Sequence, residues 1–226
     1  AELAGGERAN MVCDYCAASA DPAAYGDPAL YGLALEGGKA VSRGKSAHGS
    51  TPDEGENAIE PMLRYLKLDG IADLLFKEKL GLKDLKDETG ALTLSPDVIK
   101  SAGDKVFITC DMRYPATYTE KFILERVSGF GIPFEIVHSQ APLYGEKDSF
   151  LIKTLCEVYN EVCGTQLQPI AIGGGTYARA LKRGAAFGPE EAGEESTIHQ
   201  ADEYITFEKI EKCFEIYKLA LERLTK

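Results

Sequence analysis

Apolar residues recur at regular spacings in several separate segments of the chain. Spacings of three and four residues predict helices at residues 57–68, 71–80, 119–128, 149–163 and 207–224. Extended apolar runs predict strands at residues 8–18, 91–99, 105–113, 134–138, 167–172 and 185–187, and a hairpin at residues 30–41. The turn residues Gly37-Gly38 and Ser-Ala-Gly-Asp (101–104) are typical of hairpins.

The order and type of the predicted helices and strands change near residue 142. Up to that point, the order strand, helix, hairpin, helix, strand is the βαββαβ pattern of a ferredoxin-like α/β sandwich, an α+β fold. Beyond the Tyr144-Gly145 break, helices alternate with short strands around a glycine-rich turn, which is typical of α/β sheets. We therefore predict two domains, residues 1–142 and 143–226, of which the second holds only part of an α/β sheet.

Composition and charge narrow the classes of partner. The chain has 226 residues, 44% of them hydrophobic and 27% charged, which is ordinary for a globular protein. Asp and Glu total 36 against 25 for Lys and Arg, and this acidic balance repels nucleic-acid phosphates and anionic membranes. No run approaches 18 apolar residues, and the first residues lack the pattern of a signal peptide. We predict a cytoplasmic protein with no nucleic-acid or membrane partner.

The three histidines lie in different settings. His48 lies in a polar loop between a predicted strand and a predicted helix, a setting that fits a functional residue and an exposed loop histidine about equally. His138 closes an apolar run and fits a structural role. His199 lies in an acidic loop before the last predicted helix, where a neutral imidazole suits zinc or manganese. Because a zinc site needs about three protein ligands, most ligands of such a site would come from elsewhere.

Three further features are candidates for ligand binding or for metal and redox chemistry. The glycine turn Ile-Gly-Gly-Gly-Thr-Tyr-Ala-Arg (172–179) matches neither phosphate-binding motif, yet its backbone N–H groups, the Thr176 hydroxyl and a helix N-terminus suit a carboxylate. Arg113 suits a bidentate carboxylate clamp, with a surface salt bridge as the alternative. Cys13 and Cys16 form a C-x-x-C pattern without the second pair of a structural zinc site, and we predict that all six cysteines are reduced thiols.

Several segments together resemble the co-catalytic zinc metallopeptidases that include aminoacylase, carnosinase and bacterial dipeptidases, and most closely the dipeptidase V (Xaa-His dipeptidase) branch. In chain order they are Gly-Glu-Arg-Ala-Asn-Met-Val (6–12), Gly-Lys-Ser-Ala-His-Gly-Ser (44–50), Gly-Glu-Asn-Ala (55–58), Asp-Met-Arg-Tyr-Pro (111–115), Gly-Gly-Gly-Thr-Tyr-Ala-Arg (173–179), Ala-Phe-Gly-Pro (186–189) and His-Gln-Ala-Asp-Glu-Tyr-Ile (199–205). The resemblance implies a ferredoxin-like, dimerisation-like lid followed by the C-terminal part of a zinc-exopeptidase-like α/β catalytic domain.

The same resemblance implies hydrolysis of dipeptides or similar small peptides with two zinc ions, or manganese or cobalt. It implies that His48 and Asn10 donate hydrogen bonds to the tetrahedral oxyanion. It makes His199 a metal ligand, oriented by Asp202 or Glu203. The residues that it assigns to the C-terminal carboxylate of the substrate are Arg113, Gly174, Gly175 and Thr176.

In this family an N-terminal half that carries an H-x-D motif, a bridging aspartate and a Glu-Glu pair supplies most metal ligands and the general base, and we expect that half to be missing from these residues. We therefore expect a fragment, the lid plus the closing piece of the catalytic domain, that is inactive alone and whose partner is the missing N-terminal half of the same enzyme. A homodimer through the lid stays open. Two other functions remain as alternatives: a non-catalytic ferredoxin-like binding or dimerisation module, and an amino-acid deacylase of the same family.

Overall fold

The computed structural model of the chain describes residues 2–77, 81–82, 84–181, 183–190 and 202–226. These residues form two compact units, Ala1–Ala141 and Pro142–Lys226, which are described separately below. The first unit holds all the strands in the described part of the chain and the three predicted helices between residues 57 and 128. The second unit holds the two longest helices.

The strands are β1 (Leu3–Gly5), β2 (Tyr15–Ala18), β3 (Ala34–Glu36), β4 (Lys39–Arg43), β5 (Lys86–Asp87), β6 (Gly90–Ala91), β7 (Thr93–Ala102) and β8 (Lys105–Arg113). The α-helices are α1 (Pro22–Tyr25), α2 (Ile59–Tyr65), α3 (Asp69–Phe76), α4 (Glu120–Ser128), α5 (Phe150–Cys163) and α6 (Phe207–Leu224). Short 3₁₀ helices span Pro28–Tyr31, Pro52–Glu54 and Tyr177–Ala180. None of the helices in these described ranges is long and apolar enough to cross a membrane.

Six strands of the first unit form one antiparallel sheet in the order β3-β4-β2-β1-β7-β8. Two predicted hairpins are confirmed, β3–β4 around Gly37-Gly38 and β7–β8 around Gly103. These three glycines have φ angles of 55°, 77° and 63°, a left-handed conformation that suits glycine. The short strand β1 separates β2 from β7, an arrangement that the sequence patterns did not predict.

Five helices are confirmed, with boundaries moved by a few residues. Three of them begin at a hydroxyl residue whose Oγ accepts a hydrogen bond from a backbone N–H in the first turn: Thr119 for α4, Ser149 for α5 and Thr206 for α6. Such a cap satisfies one of the unpaired donors at a helix start, so each helix begins where its own sequence supplies the acceptor.

One face of the sheet is covered by helices. The core between the sheet and helices α2 and α3 includes the buried side chains of Leu3, Cys16, Ala40, Ile59, Met62, Leu63, Ala72 and Ile99. A second cluster packs Ile123 of α4 against Leu94 and its neighbours. Burying each large aliphatic side chain contributes about 1.5–3 kcal/mol, so this face anchors the unit. The segments discussed below as a candidate site are held by that anchored sheet.

Four predicted strands are corrected. Residues 8–18 are not one strand, because only Tyr15–Ala18 pairs in the sheet. Residues 134–138, 167–172 and 185–187 form no strand, so the last strand of the predicted βαββαβ pattern is absent. These runs have apolar side chains but no hydrogen-bonded neighbour in the described structure, and a strand is stable only when its backbone groups are paired. Val137 and Ile170 are 80% and 85% exposed accordingly.

The second unit is centred on two packed helices, α5 and α6, whose shared core is Val158, Ile216 and Ala220. The apolar stripe that identifies α6 in the sequence is not the face that packs on α5. Phe207, Phe214 and Leu221 are 86%, 68% and 63% exposed. The predicted fold classes are therefore confirmed only as a mixed α/β chain with a mainly antiparallel sheet.

Candidate functional site

The loop that carries His48 is closed on itself by backbone hydrogen bonds. Lys45 and Glu56 exchange two such bonds of 2.9 Å, so the chain leaves β4 and returns to almost the same place. The returning end is tied to the segment before β2, because the N–H of Ala58 donates to the carbonyl of Cys13 at 2.7 Å. The outgoing side is tied by the N–H of Val12, which donates to the carbonyl of Ala47 at 2.9 Å. A loop held by these four hydrogen bonds keeps its side chains on a rigid base.

Glycine is required at the points where this loop touches its neighbours. A Cβ on Gly44 would lie 1.9 Å from the Glu56 carbonyl oxygen, and one on Gly55 would lie 2.7 Å from the Lys45 carbonyl oxygen. A Cβ on Gly49 would lie 2.6 Å from Asp111 Oδ2. The approaches of Gly44 and Gly55 to backbone oxygens are sterically closed to any residue with a side chain, whereas at Gly49 the Asp111 carboxylate would have to move. The glycines of the His48 motif therefore serve packing.

Hydrogen bonds assign the tautomer of His48. The backbone N–H of Ser50 donates to His48 Nδ1 at 3.2 Å, and Ser50 Oγ lies 2.7 Å from the same nitrogen. A nitrogen that accepts a backbone N–H carries a lone pair, so the neutral ring carries its proton on Nε2. His48 is half-buried and so presents an Nε2–H donor from a fixed ring. This arrangement suits donation to a negatively charged oxygen.

Asn10 lies next to His48. The N–H of Gly49 donates to the Asn10 carbonyl at 2.7 Å, and Met11 forms an antiparallel bridge with His48. Asn10 is an exposed residue at the end of a turn. Backbone pairing between the turn before β2 and the His48 loop thus brings together the two residues that the resemblance assigns to the oxyanion.

Arg113 forms an ion pair with Asp111, two residues earlier on β8. Its Nε and Nη2 atoms lie 3.1 and 2.6 Å from Asp111 Oδ2, and both side chains are largely buried, at 25% and 16% exposed. Alternate residues of a strand point to the same face, which allows this contact. Because Asp111 Oδ2 also approaches Gly49, the pair adjoins the loop of His48. The structure thus brings Asn10, His48 and Arg113 into one region of the first unit.

Asp97, which the sequence patterns did not single out, is fully buried behind this pair. Ser95 Oγ donates a hydrogen bond to Asp97 Oδ1, and Oδ2 has no hydrogen-bond partner in the described residues. Burial raises the pKa of Asp97 to about 7; the Ser95 hydrogen bond opposes the rise, the charge of Asp111 adds to it and Arg113 opposes it. The signal available in the sequence was Pro96, because a proline inside a strand pattern indicates a bulge.

The raised pKa of Asp97 links folding to pH. The carboxyl has a reference pKa of 3.8 in the unfolded chain and about 7 in the folded one. Between these values the folded state binds more protons than the unfolded state, so the free energy of unfolding falls as the pH rises through this interval. At and above neutral pH, the buried Asp97 carboxylate therefore lowers the stability of the folded chain.

Gly174, Gly175 and Thr176 lie in the second unit. Gly174 and Gly175 are exposed, Thr176 is half-buried, and the helix that follows is a 3₁₀ turn of four residues. That turn is too short to supply the predicted helix N-terminus. A Cβ on Gly175 would instead lie 2.7 Å from Nη1 of Arg179, so the guanidinium of Arg179 adjoins this loop. Arg179 is therefore a cation near the predicted carboxylate loop that the residue assignment left out.

The remaining predicted residues divide into three groups. The six cysteines are free thiols, as predicted, and burial raises the pKa of Cys13 to about 11 and that of Cys16 further still. His138 lies in an exposed segment without a strand. His199 lies outside the described residues. Among the described residues, no group of three or more His, Cys, Asp or Glu side chains is placed to hold a metal ion.

Comparison with known proteins identifies the family of this chain. A sequence model described as "Peptidase family M20/M25/M40" matches residues 18–223, which is nearly the whole chain. The chain belongs to the M20 family of peptidases. Members of this family generally use zinc or another divalent metal. The matched range includes the His48 loop, Arg113 and the glycine turn, and it leaves Asn10 outside.

Curated relatives of this M20 chain carry dipeptidase names. A "Putative dipeptidase" of Staphylococcus saprophyticus is 33% identical over 202 residues, which are 80% of this chain and 43% of the relative. A "Putative dipeptidase" of Staphylococcus epidermidis is 32% identical over 200 residues, with the same two shares. One of Staphylococcus aureus is 29% identical over 200 residues. The M20 chain thus spans less than half the length of the curated relatives that it matches.

Proposed function

We propose that this chain supplies oxyanion stabilisation and substrate-carboxylate recognition to a metal-dependent dipeptidase. The observation that carries the proposal is the meeting of Asn10, His48 and the Asp111–Arg113 pair in one region of the first unit. The M20 family and the dipeptidase names of the relatives support peptide hydrolysis as the reaction class. The Xaa-His dipeptidase type, and the status of the chain as part of a longer enzyme, belong to this proposal.

The first step that these residues serve is stabilisation of the tetrahedral oxyanion. When a nucleophile adds to the peptide carbonyl, its oxygen acquires a full negative charge. A neutral His48 donates its Nε2–H to that oxygen, and Ser50 keeps the ring in this tautomer. The Asn10 side-chain amide is the second donor. Because both are held by the closed loop and its backbone pairs, little reorganisation accompanies the developing charge.

The second role is binding the free carboxylate of the substrate. Asp111 engages Nε–H and one Nη2–H of the Arg113 guanidinium, which fixes the plane of the group. A guanidinium with a fixed plane binds a carboxylate with defined geometry. The resemblance also assigns Gly174, Gly175 and Thr176 to carboxylate binding, and within their own unit the Arg179 guanidinium adds positive charge to their loop. Selection for a C-terminal carboxylate favours dipeptides and other short substrates.

Metal binding rests on residues beyond the described set. The described residues do not by themselves form a site for two zinc ions. We assign His199 as one ligand on the resemblance, with Asp202 or Glu203 as its orienting carboxylate. When bound, the metal supplies an activated water for attack on the peptide carbonyl. The proposed roles of Asn10, His48 and Arg113 do not require the described residues to hold that metal.

The partner of the second unit is, in this proposal, the remaining part of the same peptidase. Phe207, Phe214 and Leu221 form an exposed apolar stripe on α6, and Ile170 and Tyr177 add to the exposed apolar surface of the unit. Exposed apolar surface of this extent is typical of a face that another part of a protein covers. The relatives are more than twice as long as the share of them that this chain matches, which supplies such a part.

The test of the proposed function uses the complete protein encoded by the gene of this chain, loaded with zinc or manganese. We expect cleavage of dipeptides with a free C-terminus and loss of cleavage when the same dipeptides are amidated. Arg113→Lys keeps the charge but loses the planar guanidinium, so we expect KM to rise roughly 10–100-fold with a smaller change in kcat. Steady-state kinetics with both substrate series measures this.

A matched control is Arg43→Lys, an exposed arginine on β4 paired with Glu36 at 2.9 Å. It should leave KM unchanged. Equal cleavage of free and amidated dipeptides would contradict the carboxylate role of Arg113. Faster turnover of N-acyl amino acids than of dipeptides would favour the amino-acid deacylase. An absence of turnover with every substrate and metal would favour the non-catalytic binding module.

The 226-residue chain alone is expected to hydrolyse no dipeptide. The physical reason is that, by the resemblance, most metal ligands and the general base come from the other half of the enzyme. Incubation of the purified chain with zinc or manganese and the same dipeptides, followed by detection of free amino acids, measures this. Stoichiometric metal binding together with cleavage would overturn the expectation.

A further inference from the structure

We propose that Asp97 is a positioning residue for the Arg113 site, and that its own charge sets how tightly the Asp111–Arg113 pair binds the carboxylate of a substrate. This inference rests on the proposed role of Arg113 in carboxylate binding. It adds a residue that neither the family match nor the sequence motifs assign. Asp97 itself does not touch the substrate, because it is fully buried.

The bulge in β7 places Asp97 behind the pair. The pairing with β8 shifts between Pro96 and Val98, so Asp97 is an additional residue in the strand. Ser95, which donates to Asp97 Oδ1, lies directly opposite Asp111 in the register. Asp97 thus lies among the side chains of the sheet face that carries Asp111 and Arg113.

The bulge is also tied to the His48 loop. Asn57 Nδ2 donates to the Pro96 carbonyl at 2.6 Å, and Asn57 Oδ1 accepts the N–H of Ile59 at the start of α2. A Cβ on Gly6 would lie 1.9 Å from the carbonyl oxygen of Asp97. These contacts leave the backbone of the bulge little room to move, so a change of charge on Asp97 acts on its neighbours electrostatically.

The titratable and charged groups around Asp97 come from two segments. Asp111, Arg113 and Cys110 lie on β8, and Cys13 precedes β2. Burial raises the pKa of Cys13 to about 11 and that of Cys110 to about 12, so both thiols stay protonated near neutral pH. The group in this set whose charge changes near pH 7 is Asp97, whose pKa burial raises to about 7.

The direction of the effect follows from the charges. With Asp97 protonated, its side chain adds no negative charge beside the Asp111–Arg113 pair. With Asp97 ionised, one further negative charge lies beside the guanidinium and weakens its attraction for an incoming anion. Affinity for the substrate carboxylate should therefore fall as the pH rises through neutrality. By linkage, a bound carboxylate should favour the protonated form of Asp97 to the same degree.

The experiment uses the 226-residue chain, with N-acetylglycine as the carboxylate probe and N-acetylglycinamide as its neutral counterpart. NMR follows the Arg113 Nε–H signal and the Asp97 side-chain carboxyl between pH 6 and 8.5. We expect the dissociation constant for N-acetylglycine to rise about three- to tenfold across this range. In Asp97→Asn, which keeps the shape without the charge, it should stay at the low-pH value.

The control variant is Asp104→Asn, which removes the same charge from an exposed turn of the same hairpin. Asp104 lies seven residues along the chain from Asp97, roughly 20 Å at the rise of a strand. It should keep the pH profile of the parent chain. A second readout needs no substitution: saturating N-acetylglycine should move the titration midpoint of Asp97 upward. This readout keeps the inference testable if Asp97→Asn does not fold.

The outcomes separate the two proposals. If the Arg113 signal responds to N-acetylglycine equally at every pH and the Asp97 midpoint does not move, the role of Asp97 is overturned and the carboxylate site stands. If the Arg113 signal responds to neither probe, the carboxylate role of Arg113 fails, and the inference fails with it. If Asp104→Asn flattens the profile as much as Asp97→Asn does, the effect is one of net charge, and the positioning role is overturned.

Discussion

Replacing Gly44 by alanine is expected to destabilise the first unit by about 3 kcal/mol. The new Cβ would lie 1.9 Å from the Glu56 carbonyl oxygen, far inside van der Waals contact. The oxygen cannot move away freely, because Glu56 is bonded through its N–H and its carbonyl to Lys45. Relief of the clash therefore requires opening the base of the His48 loop. Urea unfolding followed by circular dichroism, with hydrogen exchange on β2 and β4, measures this.

The matched control for this substitution is Gly70→Ala in α3. Nothing lies within 4 Å of a Cβ on Gly70, and the position is exposed and helical, so alanine should stabilise the helix slightly. Equal stability of the Gly44 variant and the parent chain would show that the loop base adapts at no cost. The tight closure of the loop would then not explain the glycines of the motif.

The second large effect is on catalysis by the complete protein. His48→Ala removes the Nε2–H donor to the oxyanion and should lower kcat about 100- to 1000-fold, with a smaller change in KM. Only the transition state carries the full negative charge on oxygen, so the loss appears mainly in kcat. Steady-state kinetics with a dipeptide substrate measures it.

Ser50→Ala is the graded control for His48. It removes the Oγ contact to Nδ1 and retains the backbone N–H of residue 50, which donates to the same nitrogen at 3.2 Å. The tautomer is therefore preserved, and we expect a loss of kcat much smaller than that of His48→Ala. A loss equal to that of His48→Ala would mean that the hydroxyl, and not the backbone, holds the ring. An unchanged kcat in His48→Ala would remove His48 from the oxyanion site.

The candidate site was predictable from the sequence only as separate motifs. The resemblance named Asn10, His48 and Arg113, but their proximity depends on the pairing of Met11 with His48 and on the approach of Asp111 to Gly49. Asp97 carried no motif, because its importance comes from burial, and burial is a property of the packed chain. Arg179 was part of a quoted motif, but its contact with Gly175 depends on the shape of the turn.

The fold divides in the same way. Helices α4, α5 and α6 were predictable because each one contains its own apolar periodicity and its own N-terminal cap. The β7–β8 hairpin was predictable because its turn lies between its two strands. The strands at residues 134–138, 167–172 and 185–187 were wrong because an apolar run specifies neither a partner strand nor a register.

The sequence by itself determined the elements that short-range interactions stabilise, the membership of the M20 family and the identity of the candidate residues. The tertiary structure decided the position of β1 between β2 and β7, the closure of the His48 loop and the charge environment of Arg113. The physical reason is the distance along the chain over which each interaction acts. Caps, turns and periodicity act within a few residues, whereas sheet order, desolvation and ion pairing arise between segments that meet only when the chain has folded.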